Sequence, residues 1–344
     1  MKILLIGGTG FTGRSTAAYL KDSGHEVTVF HRGKTALPVG SHQIIGDQKQ
    51  LEDFRPGFQR RNFDVVVDFI TGSRRQAQRL MDVFRGITGR IVVLSSMDVY
   101  RAMGVLRGTE TGPTQPVPLT EDSELRTRSQ YSKEELQGLI SILGYFDDEY
   151  EKIEVEQTVL GDPELPATVL RLPMVYGPGD YIHRFYYLLK RMDDRRPFIL
   201  FSDDMAAWHT PRGFEENVGN AIALVATSDK APGRIYNICE EESFSELEWA
   251  KKIAREVGWK GDFVVLPREK TPQHLLFPHR IEQQFIATAA RIRKELGYKE
   301  PISIEEGIRR TIPWERANPP RQVWFAPFNY QAEDEAMQKL KASA

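Results

Sequence analysis

Residues 3–14 read Ile-Leu-Leu-Ile-Gly-Gly-Thr-Gly-Phe-Thr-Gly-Arg, with glycines at positions 7, 10 and 13 between a short apolar run and a segment of helical spacing. In a strand-loop-helix unit, Gly7 permits the tight turn, Gly10 lets the backbone approach a pyrophosphate, and Gly13 lets the helix pack closely on the sheet. This pattern predicts a dinucleotide-binding loop. We expect its cofactor contacts to come from Gly7, Thr9, Gly10, Phe11, Thr12 and Gly13.

The remainder of the first half repeats the alternation of strand and helix. Apolar runs of strand length lie at 26–30, 64–69, 90–94 and 167–172, and segments of helical spacing lie at 12–23, 76–85 and 152–160. Apolar strands that alternate with helices predict a parallel sheet covered on both faces. We therefore predict an α/β fold, a Rossmann doubly wound parallel sheet with a smaller mixed α/β C-terminal substrate-binding region.

The predicted domains follow from where this alternation stops. The dinucleotide-binding Rossmann domain spans 1–179, and beyond it the pattern becomes mixed and lacks a glycine-rich loop of its own. We assign 180–330 to the substrate-binding region, part of which can return to the Rossmann core. The charged, alanine-rich stretch 331–344 is expected to be a C-terminal tail or a frayed helix.

Composition and charge exclude several classes of function. Of 344 residues, 40% are apolar and 27% charged, and the net charge is −2, which gives no overall attraction to nucleic acid or anionic lipid. The single cysteine, Cys239, excludes an internal disulfide and a thiolate zinc cluster. Histidines and acids do not occur at ligand spacing, so no metal is predicted. Because no apolar run reaches membrane length, we expect a soluble, cytoplasmic protein.

The residues that follow the second predicted strand bear on the choice of dinucleotide. A carboxylate there would bind the ribose 2′-hydroxyl, but the sequence offers His31, Arg32 and Lys34 and no acid. Cations suit a 2′-phosphate, so NADP(H) is the preferred cofactor and NAD(H) stays possible. Asp47 stands where a carboxylate could accept a hydrogen bond from the adenine amino group; an ordinary turn aspartate is the alternative.

Two further motifs carry a family resemblance. The stretch 92–100 reads Val-Val-Leu-Ser-Ser-Met-Asp-Val-Tyr, and 171–180 reads Arg-Leu-Pro-Met-Val-Tyr-Gly-Pro-Gly-Asp. Together with the glycine loop they resemble the extended short-chain dehydrogenases/reductases of the NAD-dependent epimerase/dehydratase family, a class that contains nucleotide-sugar epimerases and dehydratases. The likeness continues through 214–226 and 291–314. It implies an enzyme of this type, and it implies a homodimer, since family members commonly pair through a four-helix contact.

The resemblance also implies roles for individual residues. Ser96 matches the serine that hydrogen-bonds the reacting oxygen, with Met97 beside it as a substrate contact. Lys152 matches the lysine that holds the nicotinamide ribose and lowers the pKa of the acid/base tyrosine. Pro173 and Met174 match the segment that lines the nicotinamide.

The tyrosine of the family motif is displaced. The family places it four residues before the lysine, where this chain has Asp148, whereas Tyr150 precedes Lys152 by two. Residues two apart on a regular helix point about 200° apart, so the two cannot share a helical face. Three alternatives stay open: Tyr150 lies in an irregular first turn, Tyr145 or Tyr131 supplies the phenol, or the site has no acid/base tyrosine. Altered motifs are typical of the family's atypical branch, in which some members bind the cofactor without a demonstrated reaction and others are plastid RNA-binding relatives.

The second half supplies candidate substrate contacts. His183, Trp208 and Arg212 could stack on a ring and clamp an anion, and the resemblance places a substrate-binding arginine near 208–212. We predict an NADP(H)-dependent oxidoreductase or epimerase/dehydratase, with Ser96, Tyr150 and Lys152 as catalytic residues. Its substrate would be a small molecule, either a sugar, a nucleotide sugar or a small carbonyl or alcohol. The alternative is a catalytically silent NADP(H)-binding regulatory protein, and RNA binding is a weaker third.

Overall fold

The computed structural model describes residues 1–144, 146–323 and 325–342. The strands are β1 (Lys2–Ile6), β2 (Glu26–His31), β3 (His42–Ile45), β4 (Val65–Asp68), β5 (Arg90–Ser96), β6 (Ala167–Leu172), β7 (Met174–Tyr176), β8 (Phe198–Ser202), β9 (Arg212–Phe214), β10 (Ile235–Asn237) and β11 (Asp262–Leu266). The helices are α1 (Phe11–Asp22), α2 (Arg55–Arg61), α3 (Arg74–Phe84), α4 (Arg101–Arg107), α5 (Lys133–Leu143), α6 (Lys152–Leu160), α7 (Tyr186–Asp193), α8 (Asp203–Ala207), α9 (Glu215–Thr227), α10 (Glu246–Val257), α11 (Ala290–Leu296), α12 (Ile304–Ala317) and α13 (Tyr330–Ala342).

A seven-stranded parallel sheet organises the molecule, with strand order β10-β6-β5-β4-β1-β2-β3. The prediction of a Rossmann doubly wound sheet is confirmed. From β1 the chain builds outward through β2 and β3 on one side, then returns to build β4, β5 and β6 on the other. This reversal creates a crevice at the carboxyl ends of β1 and β4, which is where open α/β sheets bind ligands.

Both faces of the central strands are buried because apolar residues occupy consecutive positions in them. In β1, Ile3 and Leu5 pack into one core cluster and Leu4 and Ile6 into another, and all four are fully buried. Successive side chains of a strand point to opposite faces, so an unbroken apolar run requires helices on both sides. Each such side chain contributes roughly 1.5–3 kcal/mol through burial.

The second half contributes both to this sheet and to separate structure. Strand β10 forms the sheet's edge beside β6, and α9 packs so closely on α1 that a Cβ on Gly219 would lie 2.6 Å from Ser15 Cβ. Strands β7 and β9 form one small parallel sheet, and β8 and β11 form another. The boundary at 179/180 stays a prediction, with β10 and α9 as the returning part.

The C-terminal segment is a packed helix rather than a frayed one. Glu333 of α13 is fully buried and accepts a hydrogen bond from Arg191 Nη2 at 2.6 Å, and His274 Nε2 lies 3.2 Å from the same carboxylate. Arg191 also donates to the carbonyls of Tyr187 and Ala326. The charged composition of 331–344 gave no sign of this pairing, because the partners lie far away in sequence. Residues 343 and 344 lie outside the described residues.

Candidate active site

A cavity of about 750 Å³ opens at the carboxyl ends of the central strands. Its first wall comes from the segments that follow β1, β4, β5 and β6, including Gly7, Phe69, Met97 and Pro173. Its second wall comes from α7, α8, β9 and the chain between α12 and α13. The glycine loop and the predicted substrate region therefore face the same space.

The glycine loop needs its glycines at two positions for steric reasons. Gly7 has φ +80°, in the left-handed region, and a Cβ there would lie 2.6 Å from Ile70 Cγ2. A Cβ on Gly13 would lie 2.6 Å from Gly8 Cα, which is backbone. Gly10 is the N-cap of α1 and lines the cavity, so the positive end of that helix faces the space where a pyrophosphate would bind.

The other loop residues divide into two groups. Phe11 and Thr12, the first residues of α1, line the cavity. Thr9 is buried, and its hydroxyl oxygen accepts a hydrogen bond from Thr35 Oγ1 at 2.6 Å. This bond ties the loop to the segment after β2. Sequence analysis did not identify Thr35, because only the pairing of β1 with β2 brings the two threonines together.

The cations after β2 lie beside the glycine loop but outside the cavity lining. Arg32 is exposed, and its Nη1 donates to Gly144 O at 3.3 Å; Lys34 is exposed as well. His31 is buried, with Nε2 at 3.2 Å from Gln43 Oε1. Arg32 and Lys34 are thus exposed cations just after β2, whereas the His31 ring is buried between β2 and β3.

Asp47 occupies the turn that follows β3. Its Oδ1 accepts a hydrogen bond from Lys49 N at 2.9 Å and caps the 3-10 turn Gln48–Phe54, as the turn-aspartate alternative expected. The neighbouring Gln48 donates from Nε2 to Thr71 Oγ1 at 3.0 Å, which attaches this turn to the loop after β4.

Lys152 is the first residue of α6 and projects into the buried end of the cavity. Its Nζ donates to Thr71 O at 2.5 Å and to Leu94 O at 2.8 Å. Burial lowers the pKa of the Lys152 ammonium from 10.5 to about 8, although Asp68 and Glu156 act in the opposite direction. The two carbonyls use two of the three ammonium donors, so one remains for a ligand or a catalytic hydroxyl.

Buried acids fix the surroundings of this lysine. Asp68, at the end of β4, accepts from Ile70 N at 2.8 Å and Thr71 N at 2.6 Å, and burial raises its pKa. Glu156, one helical turn after Lys152, accepts a bond from Ser95 Oγ at 2.5 Å. Arg171 Nη2 of β6 donates to the same carboxylate at 2.7 Å. Strands β4, β5 and β6 therefore position α6, and sequence analysis did not identify these acids.

Tyr150 does not belong to the helix of Lys152. The N-cap Glu151 has extended φ/ψ of −157° and 105°, so the chain turns between the two residues and the same-face restriction does not apply. The Tyr150 ring lines the cavity, with its centroid 5.9 Å from Lys152 Nζ. Asp148, where the resemblance would place the tyrosine, is exposed and accepts from Arg75 Nη2 at 3.3 Å.

Tyr131 is a second phenol at the same wall. Its ring meets that of Tyr150 edge-on at 5.8 Å between centroids, and both rings line the cavity. Burial raises the pKa of Tyr131, which disfavours its phenolate. Tyr145, the other alternative from the sequence, lies outside the described residues.

Ser96 ends β5 at the cavity wall. Its Oγ accepts from Asp98 N at 3.1 Å and caps the short turn Met97–Val99, which leaves the Ser96 O–H available as a donor. Met97 is buried and also lines the cavity. Pro173 and Met174 line it from the end of β6, where Met174 Sδ accepts from Thr210 Oγ1 at 3.1 Å.

The substrate candidates of the second half all line the cavity as well. His183 Nδ1 lies 2.7 Å from Glu315 Oε2, and its ring stacks on Trp314 at 5.2 Å. Trp208 is buried and donates from Nε1 to Gln283 O at 3.0 Å. Arg212 is buried and donates from Nη2 to both carboxylate oxygens of Glu246, at 2.5 and 2.6 Å.

Metal binding and membrane insertion are two other classes of function on which the described residues bear. Within 1–144, 146–323 and 325–342, no group of three or more His, Cys, Asp or Glu side chains could hold a metal ion. No helix in this part of the chain is long and apolar enough to cross a membrane.

The chain is similar to several known proteins. The model of the NAD dependent epimerase/dehydratase family matches residues 3–239. The chloroplast stem-loop binding protein of 41 kDa b from Arabidopsis thaliana is 23% identical over 89% of this chain and 77% of its own. The 2′-dehydrokanamycin reductase of Streptomyces kanamyceticus is 22% identical over 80% of this chain and 72% of its own. The solved structure of MoeE5 in complex with UDP-glucuronic acid and NAD has a TM-score of 0.65 at 20% identity, covering 92% of this chain and 99% of that one.

The fold and the cavity define an α/β protein of the Rossmann type. The chain belongs to the NAD dependent epimerase/dehydratase family, a family of enzymes. The resemblance drawn from the glycine loop and the two later motifs is therefore confirmed.

Proposed function

We propose that the protein is an NADP(H)-dependent oxidoreductase or epimerase/dehydratase that acts on a sugar-like molecule or on a small carbonyl or alcohol. One observation carries this proposal. Tyr150, Lys152 and Ser96 line the same cavity as the glycine loop, although the tyrosine motif is altered in sequence. The Tyr150 phenol, the Lys152 ammonium and the Ser96 hydroxyl thus line the cavity in which the nicotinamide ring of a bound dinucleotide would lie.

The cofactor fits the residues on steric grounds. The Ile70 side chain at Gly7 and the Gly8 backbone at Gly13 leave no room for a Cβ, and the α1 N-terminus faces the cavity. The pyrophosphate would lie on this loop, with Phe11 and Thr12 beside it. The third N–H of Lys152 would hold the ribose, and Pro173 and Met174 would support the nicotinamide. When bound, the cofactor supplies or accepts the hydride.

The chain's own residues would move the proton. Tyr150 would donate its phenolic proton to the carbonyl oxygen during reduction and take it back during oxidation. The Ser96 O–H would orient that oxygen by donating to it. The Lys152 ammonium, 5.9 Å from the Tyr150 ring centroid, would favour the phenolate electrostatically.

We further propose a preference for NADP(H), with NAD(H) as the lesser alternative. Arg32 and Lys34 are exposed at the end of β2, and no acid stands there to bind a ribose 2′-hydroxyl. His31 is buried against Gln43 and lies outside the cavity lining, so the proposal rests on the two exposed cations. Asp47 would reach the adenine amino group with the oxygen that does not cap the turn. The relative MoeE5 was solved with NAD, so both dinucleotides belong in the test.

The setting proposed for this enzyme is a reducing, cytoplasmic one, with the chain as a homodimer. The single cysteine, Cys239, is buried, and burial raises the pKa of its thiol to about 12. Such a thiol neither attacks nor pairs readily. Sedimentation equilibrium of the purified chain would test the dimer.

The deciding experiment is a titration with NADPH and NADH followed by turnover assays with UDP-glucose and a panel of small carbonyls. Tyr150→Phe should lose about 10²–10⁴-fold in turnover while keeping cofactor affinity, since it removes only the proton donor. Asp148→Asn is the matched control and should keep full activity, because Asp148 is exposed. If Tyr131→Phe abolishes turnover instead, Tyr131 is the acid/base.

Tight cofactor binding without turnover in the parent or any variant would favour the second candidate, a catalytically silent NADP(H)-binding regulatory protein. The altered spacing of Tyr150 and Lys152 is the observation behind that candidate. RNA binding has one support, the name of the Arabidopsis relative. Failure to bind RNA even at low salt would dismiss it.

A further inference from the structure

The half of the cavity that would hold the substrate is built with its positive charges already neutralised. Among the described residues that line the cavity, three carry a guanidinium: Arg107, Arg184 and Arg212. A nucleotide sugar carries a diphosphate, and proteins bind such groups with guanidinium groups that are free to donate to phosphate oxygens. The partners of these three arginines therefore decide whether the cavity can accept a diphosphate.

Arg212 is held by a buried carboxylate. Its side chain and that of Glu246 are 6% and 4% exposed, and Nη2 lies 2.5 and 2.6 Å from the two carboxylate oxygens. The guanidinium carbon also lies 4.8 Å from the centroid of the Trp249 ring. Glu246 is the first residue of α10, where the helix N-terminus stabilises a negative charge. An arriving diphosphate would have to displace this carboxylate or lie against it, and either is unfavourable.

The other two arginines are paired as well. Arg184 Nη1 donates to Asp180 Oδ1, and Asp180 is only 1% exposed. Arg107 Nη2 donates to Glu135, and its Nε donates to Gln130 O at 2.7 Å. Each guanidinium thus has a carboxylate of its own.

Two other polar side chains of this half, Asp98 and His279, add no free positive charge. The carboxylate of Asp98 belongs to the wall and accepts from Gln130 Nε2 at 3.2 Å. His279 also lines the cavity, and burial lowers its pKa, with Arg107 acting in the same direction. The surface between these groups is aromatic and thioether-rich, as six of its side chains show: Met103, Tyr186, Met205, Trp208, Phe277 and Phe325.

We propose that Glu246 is a specificity-determining residue that neutralises Arg212, so that the site takes an uncharged carbonyl or alcohol with an apolar or aromatic body and rejects nucleotide diphosphate sugars. This inference rests on the proposed function, because it names the substrate class of the same site. It goes beyond the name of the family, since family membership does not decide the charge of the substrate. The aromatic wall would stack on the substrate body, and Ser96 with Tyr150 would meet its oxygen.

The test removes the negative charge of Glu246 and measures UDP binding by the full chain saturated with NADPH. UDP and UDP-glucose are titrated by calorimetry into the parent, Glu246→Gln and Glu242→Gln, the last being an exposed glutamate four residues away. We expect the parent to bind either probe no more tightly than about 1 mM, and Glu246→Gln to tighten UDP binding at least about tenfold. The exposed control should behave as the parent. NADPH oxidation with cinnamaldehyde and cyclohexanone then measures turnover of uncharged probes.

Two results would overturn the proposal. Micromolar binding of UDP-glucose by the parent, or its turnover, would show that the paired arginines do not exclude a diphosphate. An unchanged UDP affinity in a folded Glu246→Gln variant would show that Glu246 is not what neutralises Arg212. If that variant does not fold, Glu135→Gln tests the same charge argument at Arg107, whose partner is half-exposed, and an unchanged UDP affinity there would contradict the exclusion of diphosphates by paired arginines.

Failure of the proposed function would look different. If neither NADPH nor NADH binds, the enzyme assignment fails, while the UDP titrations of the cofactor-free parent and variant still decide the role of Glu246. Turnover of cinnamaldehyde that is lost in Tyr150→Phe, combined with weak UDP binding, would support both proposals.

Discussion

Replacement of Lys152 by methionine should change how the stability of the protein depends on pH. Burial lowers the pKa of this ammonium from 10.5 to about 8, so between these values the unfolded chain binds more protons than the folded one. The free energy of unfolding of the parent should therefore rise with pH in this window. From about pH 6.5 to about pH 9.5, linkage gives the parent a gain of about 2 kcal/mol that the methionine variant lacks.

The methionine variant also loses the hydrogen bonds to Thr71 O and Leu94 O, which lowers its free energy of unfolding further. This second contribution does not vary with pH in the same way. Urea unfolding followed by tryptophan fluorescence at about pH 6.5, 8 and 9.5 measures the change, and Lys260→Met controls for the loss of an exposed positive charge. A parent-minus-variant difference that stays constant across this range would refute the burial of a charged ammonium. The same deprotonation should weaken NADPH binding by the parent above about pH 8.

Three other substitutions test separate parts of the structure. Gly13→Ala should weaken NADPH binding and lower the free energy of unfolding by about 1–3 kcal/mol, because the added Cβ would lie 2.6 Å from the Gly8 backbone. Gly138→Ala is the control: this glycine lies on α5 with open space around it, so the change should reduce neither NADPH affinity nor stability. Arg32→Ala should raise the dissociation constant for NADPH roughly tenfold and spare NADH, and equal losses for both would remove the 2′-phosphate assignment. Glu333→Ala should cost about 3–5 kcal/mol in urea unfolding because it leaves the buried Arg191 charge unpaired, and a cost below about 1 kcal/mol would contradict the packing of α13.

Much of the fold could be predicted from local sequence patterns. The apolar runs that became β1, β2, β4, β5 and β6 are buried on both faces, so their composition alone indicates strands of a covered parallel sheet. Strand β3 was missed because His42–Ile45 is a partly exposed edge without an apolar run. The small sheets formed by β7 with β9 and β8 with β11 were missed because their pairing joins short segments distant in sequence.

The candidate site divides in the same way. Gly7 and Gly13 could be assigned from spacing, because a tight turn and a close helix contact are local properties, whereas Lys152 was assigned through the family resemblance. The position of Tyr150 could not, since it depends on the extended conformation of Glu151, which places the ring beside the lysine without a helical turn between them.

The sequence by itself determined the doubly wound sheet and the glycine loop, because hydrophobic periodicity and glycine spacing act over a few residues, and its motifs indicated the family by resemblance. Only the tertiary structure decided which charges are paired. Arg212 meets Glu246 from a position 34 residues away, and Arg191 meets Glu333 across 142 residues. Ion pairing depends on which elements pack together and on how well water is excluded between them. The spacing of residues along the chain predicts neither of these properties.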